Sequence, residues 1–333
     1  MSEKFQEQAL ILSQQELAPG IYSLWIQTEH IAEHARPGQF LSLYCEDGSR
    51  LLPRPISICE IDRERNALRM VYRIAGKGTE EFSGKQAGDT LRVTGPLGNG
   101  YPLENQKDAP EAGTDRSPEE QKAIPERKCG DFGKNRKAFL VGGGIGIPPL
   151  LELAKQLDCE KQIIFGYRDS NLFLLEDFLK QASSGRDSVR DEQKIGVKNS
   201  MHKDDWKEIG GIVKDTMDVA EYMSAIAASG IYIATEDGSV GTKGNVLDAI
   251  RANALTADVI YACGPTPMLR ALKAYAQEND IECWISLEEK MACGIGACLA
   301  CVCKSVEVDG HTNVHNKRIC KEGPVFDARE VEL

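Results

Sequence analysis

The sequence predicts a multidomain protein in three parts: an antiparallel β-domain, an α/β domain with a parallel sheet, and a small cysteine-rich C-terminal domain. Three observations carry that reading. Short strand-like runs separated by Pro and Gly fill residues 1–103. From Lys137 the rhythm changes to strand, glycine-rich turn, helix. Five of the eleven cysteines then fall between Cys293 and Cys320.

Each part follows from its residues. In 1–103 the runs Gly20–Thr28, Gln39–Tyr44, Ala67–Ile74 and Thr90–Val93 are rich in Ile, Val, Leu and Tyr, and such spacing suits a small antiparallel barrel or sandwich. Arg54-Pro55-Ile56-Ser57 reads as one more strand, presenting a cation and a hydroxyl on outward positions. Gly76-Lys77-Gly78-Thr79 reads as a helix start with Thr79 as N-cap. Residues 104–136 hold fifteen charged residues, three prolines and almost no aliphatics; such a segment buries no core and reads as a linker or surface insertion. In 137–280, Ala138–Val141, Gln162–Gly166, Ile231–Ala234 and Asp258–Ala262 read as strands. Leu150, Leu153, Ala154 and Leu157 recur at helical spacing, and Leu172–Gln181 and Thr266–Gln277 read as helices. Strands alternating with helices imply βαβ units and a parallel sheet. The polar stretch 183–208 is left unassigned. Residues 281–333 open with a strand, Ile281–Ser286, and run into the cysteines.

Composition narrows the function classes. A net charge of −11 lacks the basic footprint of a nucleic-acid binder. Phe139–Ala154, the most apolar stretch, carries four Gly, two Pro and a Glu, and falls short of the ~20 residues that span a bilayer. The first eight residues carry polar and acidic side chains where a signal peptide needs an apolar run. The expectation is a cytoplasmic protein with no membrane and no nucleic-acid role. An odd cysteine count also argues against a disulfide framework.

Cys293-x4-Cys298-x2-Cys301, with Cys320 after eighteen intervening residues, matches the plant-type ferredoxin spacing of a [2Fe–2S] cluster. Gly294 and Gly296 let the backbone turn tightly enough for amides to approach the sulfurs. A structural zinc site, which prefers two C-x2–4-C pairs, and plain buried thiols are the alternatives. Cys303 is surplus and reads as a packed thiol; His311 and His315 read as loop surface.

Val141-Gly142-Gly143-Gly144-Ile145-Gly146-Ile147-Pro148-Pro149 follows a strand and opens a helix, where amide groups can meet a pyrophosphate. It departs from G-x-G-x-x-G, ending in Pro149. Cys263-Gly264-Pro265 sits where another parallel strand gives way to a helix, the edge at which open α/β sheets bind ligands. Arg54 facing the helix start near Gly78 would make a diphosphate clamp. No compact His/Ser/Asp constellation suggests acid–base catalysis.

Taken in order, Arg54–Ser57, Gly76–Thr79, Gly95-Pro96-Leu97-Gly98-Asn99-Gly100, Val141–Pro149, Cys263–Pro265 and Met291–Cys298 resemble the ferredoxin–NADP reductase superfamily. Within it they look most like the electron-transfer subunits of type B dihydroorotate dehydrogenase. The resemblance implies an FAD-binding antiparallel β-barrel, an NAD-binding α/β domain and one [2Fe–2S] cluster on Cys293, Cys298, Cys301 and Cys320. It implies that Arg54, Pro55, Ile56 and Ser57 contact FAD, with Val71, Tyr72 and Arg73 alongside and Gly78 and Thr79 near its diphosphate. Gly143, Gly144, Ile145 and Gly146 would cradle NAD, with Cys263, Gly264 and Pro265 near the nicotinamide. Thr235 and Asp237, in Thr235-Glu236-Asp237-Gly238, would lie beside the nucleotide, where carboxylates disfavour a 2′-phosphate. The implied partner is an FMN-containing dihydroorotate dehydrogenase catalytic subunit, two copies of each forming a heterotetramer. Reductase subunits of hydrogenase, sulfite reductase or glutamate synthase type share the nucleotide motifs and stay open, as does a zinc-stabilised nucleotide sensor.

Overall fold

Alternating buried and exposed positions curl residues 5–97 into a closed six-stranded antiparallel barrel. Its strands are β1 (Phe5–Ala18), β2 (Ile21–Gln27), β3 (Phe40–Leu43), β4 (Arg54–Asp62), β5 (Ala67–Arg73) and β6 (Thr90–Leu97), in the spatial order β1-β2-β5-β4-β3-β6. The computed structural model describes residues 3–103, 136–184, 224, 226–308 and 313–333. The 104–136 insertion but for Arg136, nearly all of the 183–208 stretch, Cys129 and His311 therefore lie outside the described residues. Side chains of Ile11, Leu24, Ile26, Leu43, Ile58 and Met70 fill the barrel. The short helices α1 (Ile31–His34) and α2 (Lys77–Ser83) add Ile31, Ala32 and Phe82 to this core.

Two details of the barrel differ from expectation. Gly76, not Thr79, is the N-cap of α2. Thr79 is the third helical residue, and its Oγ1 reaches back to accept from Ala75 N (2.8 Å) and Gly76 N (3.2 Å). Arg54 and Ser57, three apart on β4, also leave the strand on opposite faces. Arg54 pairs with Leu43, whose side chain is in the barrel core, whereas Ser57 pairs with Phe40, which packs with the C-terminal half.

The second sheet has seven strands in the order β10-β9-β8-β7-β11-β12-β15. These are β7 (Lys137–Gly143), β8 (Glu160–Tyr167), β9 (Ile231–Thr235), β10 (Thr242–Lys243), β11 (Val259–Cys263), β12 (Glu282–Ser286) and β15 (Val325–Asp327). All pairings are parallel except β12 with β15. Helices α3 (Leu150–Gln156), α4 (Leu175–Ser184), α5 (Val246–Ala252) and α6 (Thr266–Glu278) accompany it. Helix α4 starts later than Leu172 because Leu174 takes a positive φ of 66°. The strand expected at the head of the cysteine-rich domain is β12, which hydrogen-bonds within this sheet. Between β12 and β15 the chain leaves the sheet, forms the small ladder of β13 (Val302–Lys304) with β14 (Asn316–Arg318), and returns.

A charged seam locks barrel to sheet. Arg69 on β5 donates to Glu60 on β4 (2.7 Å), Asp177 on α4 (3.1 Å) and Ser23 on β2 (2.8 Å). Lys155 on α3 pairs with Glu60, and the buried Glu152 accepts from Ile61 N at 3.0 Å. Every charge here has a partner, which is the condition for burying it without a large penalty.

Candidate functional site

The parallel sheet changes winding direction between β7 and β11: β8, β9 and β10 run to one side, β12 to the other. Ligands of open α/β sheets bind at such a switch point. Register sets Gly142 opposite Cys263, so the turn after β7 and the turn after β11 share one edge. A Cβ on Gly146 would sit 2.3 Å from Cys263 O, and one on Gly143 would sit 2.7 Å from Met268 Sδ. The glycines thus press two backbones into one seam. Gly144 alone has open space around it, at a φ of 53°. A cradle of bare backbone facing open space is what a pyrophosphate needs.

Cys263 is fully buried, and that burial drives its thiol far above the ordinary range. Ser286 stands opposite it in register and lies near enough to favour the thiolate, against the repulsion of Glu288. Glu288 is solvent-accessible yet set among protein atoms; desolvation raises its carboxyl, and Arg73 pulls it back. Sequence reasoning missed Ser286 and Glu288. The signal was available in their position at the end of a strand and just past it, beside Cys263 in register. Thr235 and Asp237 lie at the same edge but beyond β8, two strands from the seam. The Thr235 hydroxyl is engaged with Val240, donating to its carbonyl at 2.7 Å. Asp237 accepts from Ser239 N at 2.9 Å, and bonds from Ser239 hold its carboxyl below the ordinary range.

On the barrel, Arg54 lies across the start of α2: a Cβ on Gly78 would come within 2.3 Å of Arg54 Nε. Only glycine leaves room for a guanidinium there. The Tyr72 side chain is turned away from this surface. It is buried in the barrel, donates to Gln14 Oε1 at 3.0 Å, and stacks on Tyr22 with ring centroids 5.9 Å apart. Val71 joins the core shared with the sheet, and Arg73 is exposed beyond it.

The four cysteines are gathered by the excursion between β12 and β15. Among the described residues no three Cys, His, Asp or Glu side chains converge as a single-ion site requires. The sulfurs are instead arranged two and two. Desolvation opposes ionisation of Cys293, but the amides of Ile295, Ala297 and Cys298 and the neighbouring Cys298 thiol outweigh it and bring it down to about 6. Ala297 N approaches its Sγ at 3.3 Å. Cys320 is buried and pushed up to about 12, first by desolvation and then by Cys301 beside it, with Cys293 acting from farther away. Two thiol pairs, ringed by amides, suit a binuclear cluster in which each iron takes two protein ligands. Ile319 N donates to Cys301 O at 2.9 Å, and Arg318 Nη1 donates to Gly296 O at 3.2 Å, tying the two ligand segments together. Cys303 stays outside the set, its thiol directed at Lys317 O at 3.5 Å. His315 is exposed and lies 3.1 Å from Val306 O through Nδ1.

This loop rests on the barrel. Asn99, just past β6, bonds through N to Gly323 O (2.6 Å) and through Nδ2 to Glu322 O (2.8 Å).

A barrel joined to a switch-point sheet, with paired thiols set against both, defines an electron-transfer reductase. Comparison with known proteins agrees. Residues 288–332 match the family model for the iron–sulfur cluster binding domain of dihydroorotate dehydrogenase B. The dihydroorotate dehydrogenase B (NAD(+)) electron transfer subunit of Bacillus caldolyticus is 37% identical over 329 residues, 98% of each chain. That of Geobacillus sp. (strain WCH70) is 37% identical over 98% of this chain and 99% of its own length. The chain belongs to the family of dihydroorotate dehydrogenase B (NAD(+)) electron transfer subunits. In fold it is similar to an NADH-dependent reduced ferredoxin–NADP oxidoreductase, with a TM-score of 0.64, 24% identity and coverage of 98% and 90% of the two chains. It is also similar to an Amycolatopsis cytochrome P450 reductase, with a TM-score of 0.51, 17% identity and coverage of 83% and 67%. Among the described residues no helix is long and apolar enough to cross a membrane.

Proposed function

We propose that this chain relays electrons from dihydroorotate, oxidised on an FMN-containing catalytic subunit, to NAD⁺, using FAD on the barrel and a [2Fe–2S] cluster on Cys293, Cys298, Cys301 and Cys320. The observation that carries the reading is the seating of the cysteine loop on the barrel. Gly294 lies against Ser42 of β3, and β3 pairs directly with the Arg54–Ser57 strand. When bound, the cluster supplies one-electron transfer and the flavin exchanges single electrons for a hydride at nicotinamide.

The remaining work belongs to side chains. Arg54 neutralises the flavin diphosphate beside Gly78, with Pro55, Ile56, Ser57 and the backbone of Val71, Tyr72 and Arg73 lining the ring; Thr79 acts by holding the turn. Gly143, Gly144, Ile145 and Gly146 receive the NAD pyrophosphate, and Cys263, Gly264 and Pro265 border the nicotinamide. Thr235 and Asp237 meet the far end of the nucleotide, where the Asp237 carboxylate repels a 2′-phosphate and favours NAD. In domain terms, residues 1–103 carry FAD, 137–280 with β12 and β15 carry NAD, and the intervening excursion carries the cluster. A two-plus-two assembly with the catalytic subunit and a cytoplasmic, thiol-reducing setting accompany this reading.

The test uses the purified chain with and without its companion. Flavin bands, equimolar FAD, and iron matching acid-labile sulfide are expected, with NADH:dye reductase activity and no dihydroorotate oxidation by the chain alone. Dihydroorotate turnover without the companion, or protein free of iron and flavin, would overturn the proposal.

A further inference from the structure

The barrel wall under the cysteine loop holds a hydroxyl with nothing to bond. Ser42 is 1% exposed, and its Oγ has no hydrogen-bond partner among the described residues. Leaving a buried hydroxyl unpaired costs about 1–3 kcal/mol, so an atom of this kind points to a partner supplied from outside the protein chain. What faces it is the residue following Cys293. A Cβ on Gly294 would lie 2.8 Å from Ser42 Oγ and 3.4 Å from Leu97 Cδ1. Gly294 also has a φ of 69°, a conformation that lets the backbone turn over the hydroxyl while Cys293 enters the thiol set. Register makes the placement firm: Ser42 stands opposite Pro55 on one side and Thr94 on the other. The hydroxyl therefore projects from the rigid wall of the barrel toward the cysteine loop.

We propose that Ser42 donates a hydrogen bond to a sulfur of the iron–sulfur group held by Cys293, Cys298, Cys301 and Cys320. Ser42 is thus a positioning residue through which the flavin domain grips the cluster and sets its potential. This rests on the cluster reading above. The direction of its effect follows from charge. A donor at sulfur favours the oxidation state with more negative charge there, which is the reduced one, so the hydroxyl raises the reduction potential. The proton stays on Ser42 Oγ throughout, and no bond to oxygen is made or broken.

The experiment compares Ser42→Ala and Ser42→Thr with the parent in the full complex, by iron and sulfide content and by redox titration of the cluster's electron-paramagnetic-resonance signal. Ser42→Ala is expected to disfavour cluster reduction by roughly tenfold, which is about 59 mV for a one-electron couple. Ser42→Thr, which keeps the donor, should stay close to the parent. Iron lost from Ser42→Ala but kept by Ser42→Thr would equally support the proposal. An unchanged potential in Ser42→Ala, equal shifts in both variants, or iron lost from both would overturn it. A parent protein without iron would instead overturn the cluster reading itself, so the two failures are told apart.

Discussion

The glycine seam of the sheet and the cysteine loop above the barrel are built on opposite plans. At the seam, backbone lies on backbone: Gly146 is held against Cys263 and Gly264, and Gly264 against Gly143, inside a continuous run of parallel hydrogen bonds. That geometry is set by the strand register itself. The cysteine loop has few such restraints. Its sulfurs are paired, its apolar residues Ile295, Leu299 and Val302 are exposed, and its two ligand segments are joined by a few bonds from Ile319 and Arg318. A preformed site loses function when its backbone moves; a ligand-closed one loses structure when its ligand leaves.

The largest expected effect comes from breaking the seam. Gly146→Val drives a side chain into Cys263 O, and NADH:dye reductase activity should fall by about 100-fold or more, since a misplacement of ~1 Å costs that much; FAD content should be kept. Breaking the loop should give the complementary result. Cys301→Ser is expected to lose most of the iron and to abolish dihydroorotate-driven NAD⁺ reduction by the complex while NADH:dye activity persists. A chelator challenge gives a milder version. Arg318→Met, which removes the bonds to Gly296 and Glu322, should weaken iron retention by roughly tenfold, the usual scale for outer partners of a metal site.

Acid unfolding sharpens the contrast from the domain junction. Burial pushes the Glu60 carboxyl up, but Lys155 and Arg69 overcome this and hold it below the ordinary range. A carboxyl depressed in the folded state contributes stability above its unfolded pKa of about 4.3, and that stability is lost as pH falls through the lower folded value. Melting temperature measured from pH 6 to pH 3 should therefore fall more steeply in the parent than in Glu60→Gln. The smallest effect is expected at Thr79, which accepts from the N-cap backbone of α2: Thr79→Val should cost about 1 kcal/mol of barrel stability by calorimetry and leave iron content unchanged.

What the sequence disclosed follows the range of the interactions. The run Cys293–Cys301 and the glycine turn are local patterns, legible because each is written within ten or so neighbouring positions. Strand β1 escaped notice because only Ala9 and Ile11 of Phe5–Ala18 are buried and polar residues are as many as apolar ones, leaving a weak signal for a strand fixed by both of its neighbours. Tyr72 sits in a motif, but alternation along β5 turns its ring inward. The seating of Gly294 on Ser42 joins residues far apart in the chain, and no local pattern announces it. The same holds for β15, which pairs with β12 only after the excursion that carries the cluster.

That last pairing makes the iron-binding segment a detour between two adjacent strands. Ser286 and Val325 face each other across the ladder, so everything from Leu287 to Pro324 begins and ends at nearly one place. Excise it, bridge Ser286 to Val325 with a two-residue turn, and an ordinary hairpin remains at the sheet's border. The detour is nonetheless sewn to its host, because Met291, Cys301, Ile319 and Cys320 share one core with Phe139 and Ile285, so the fold treats a sequence insertion as part of its own interior.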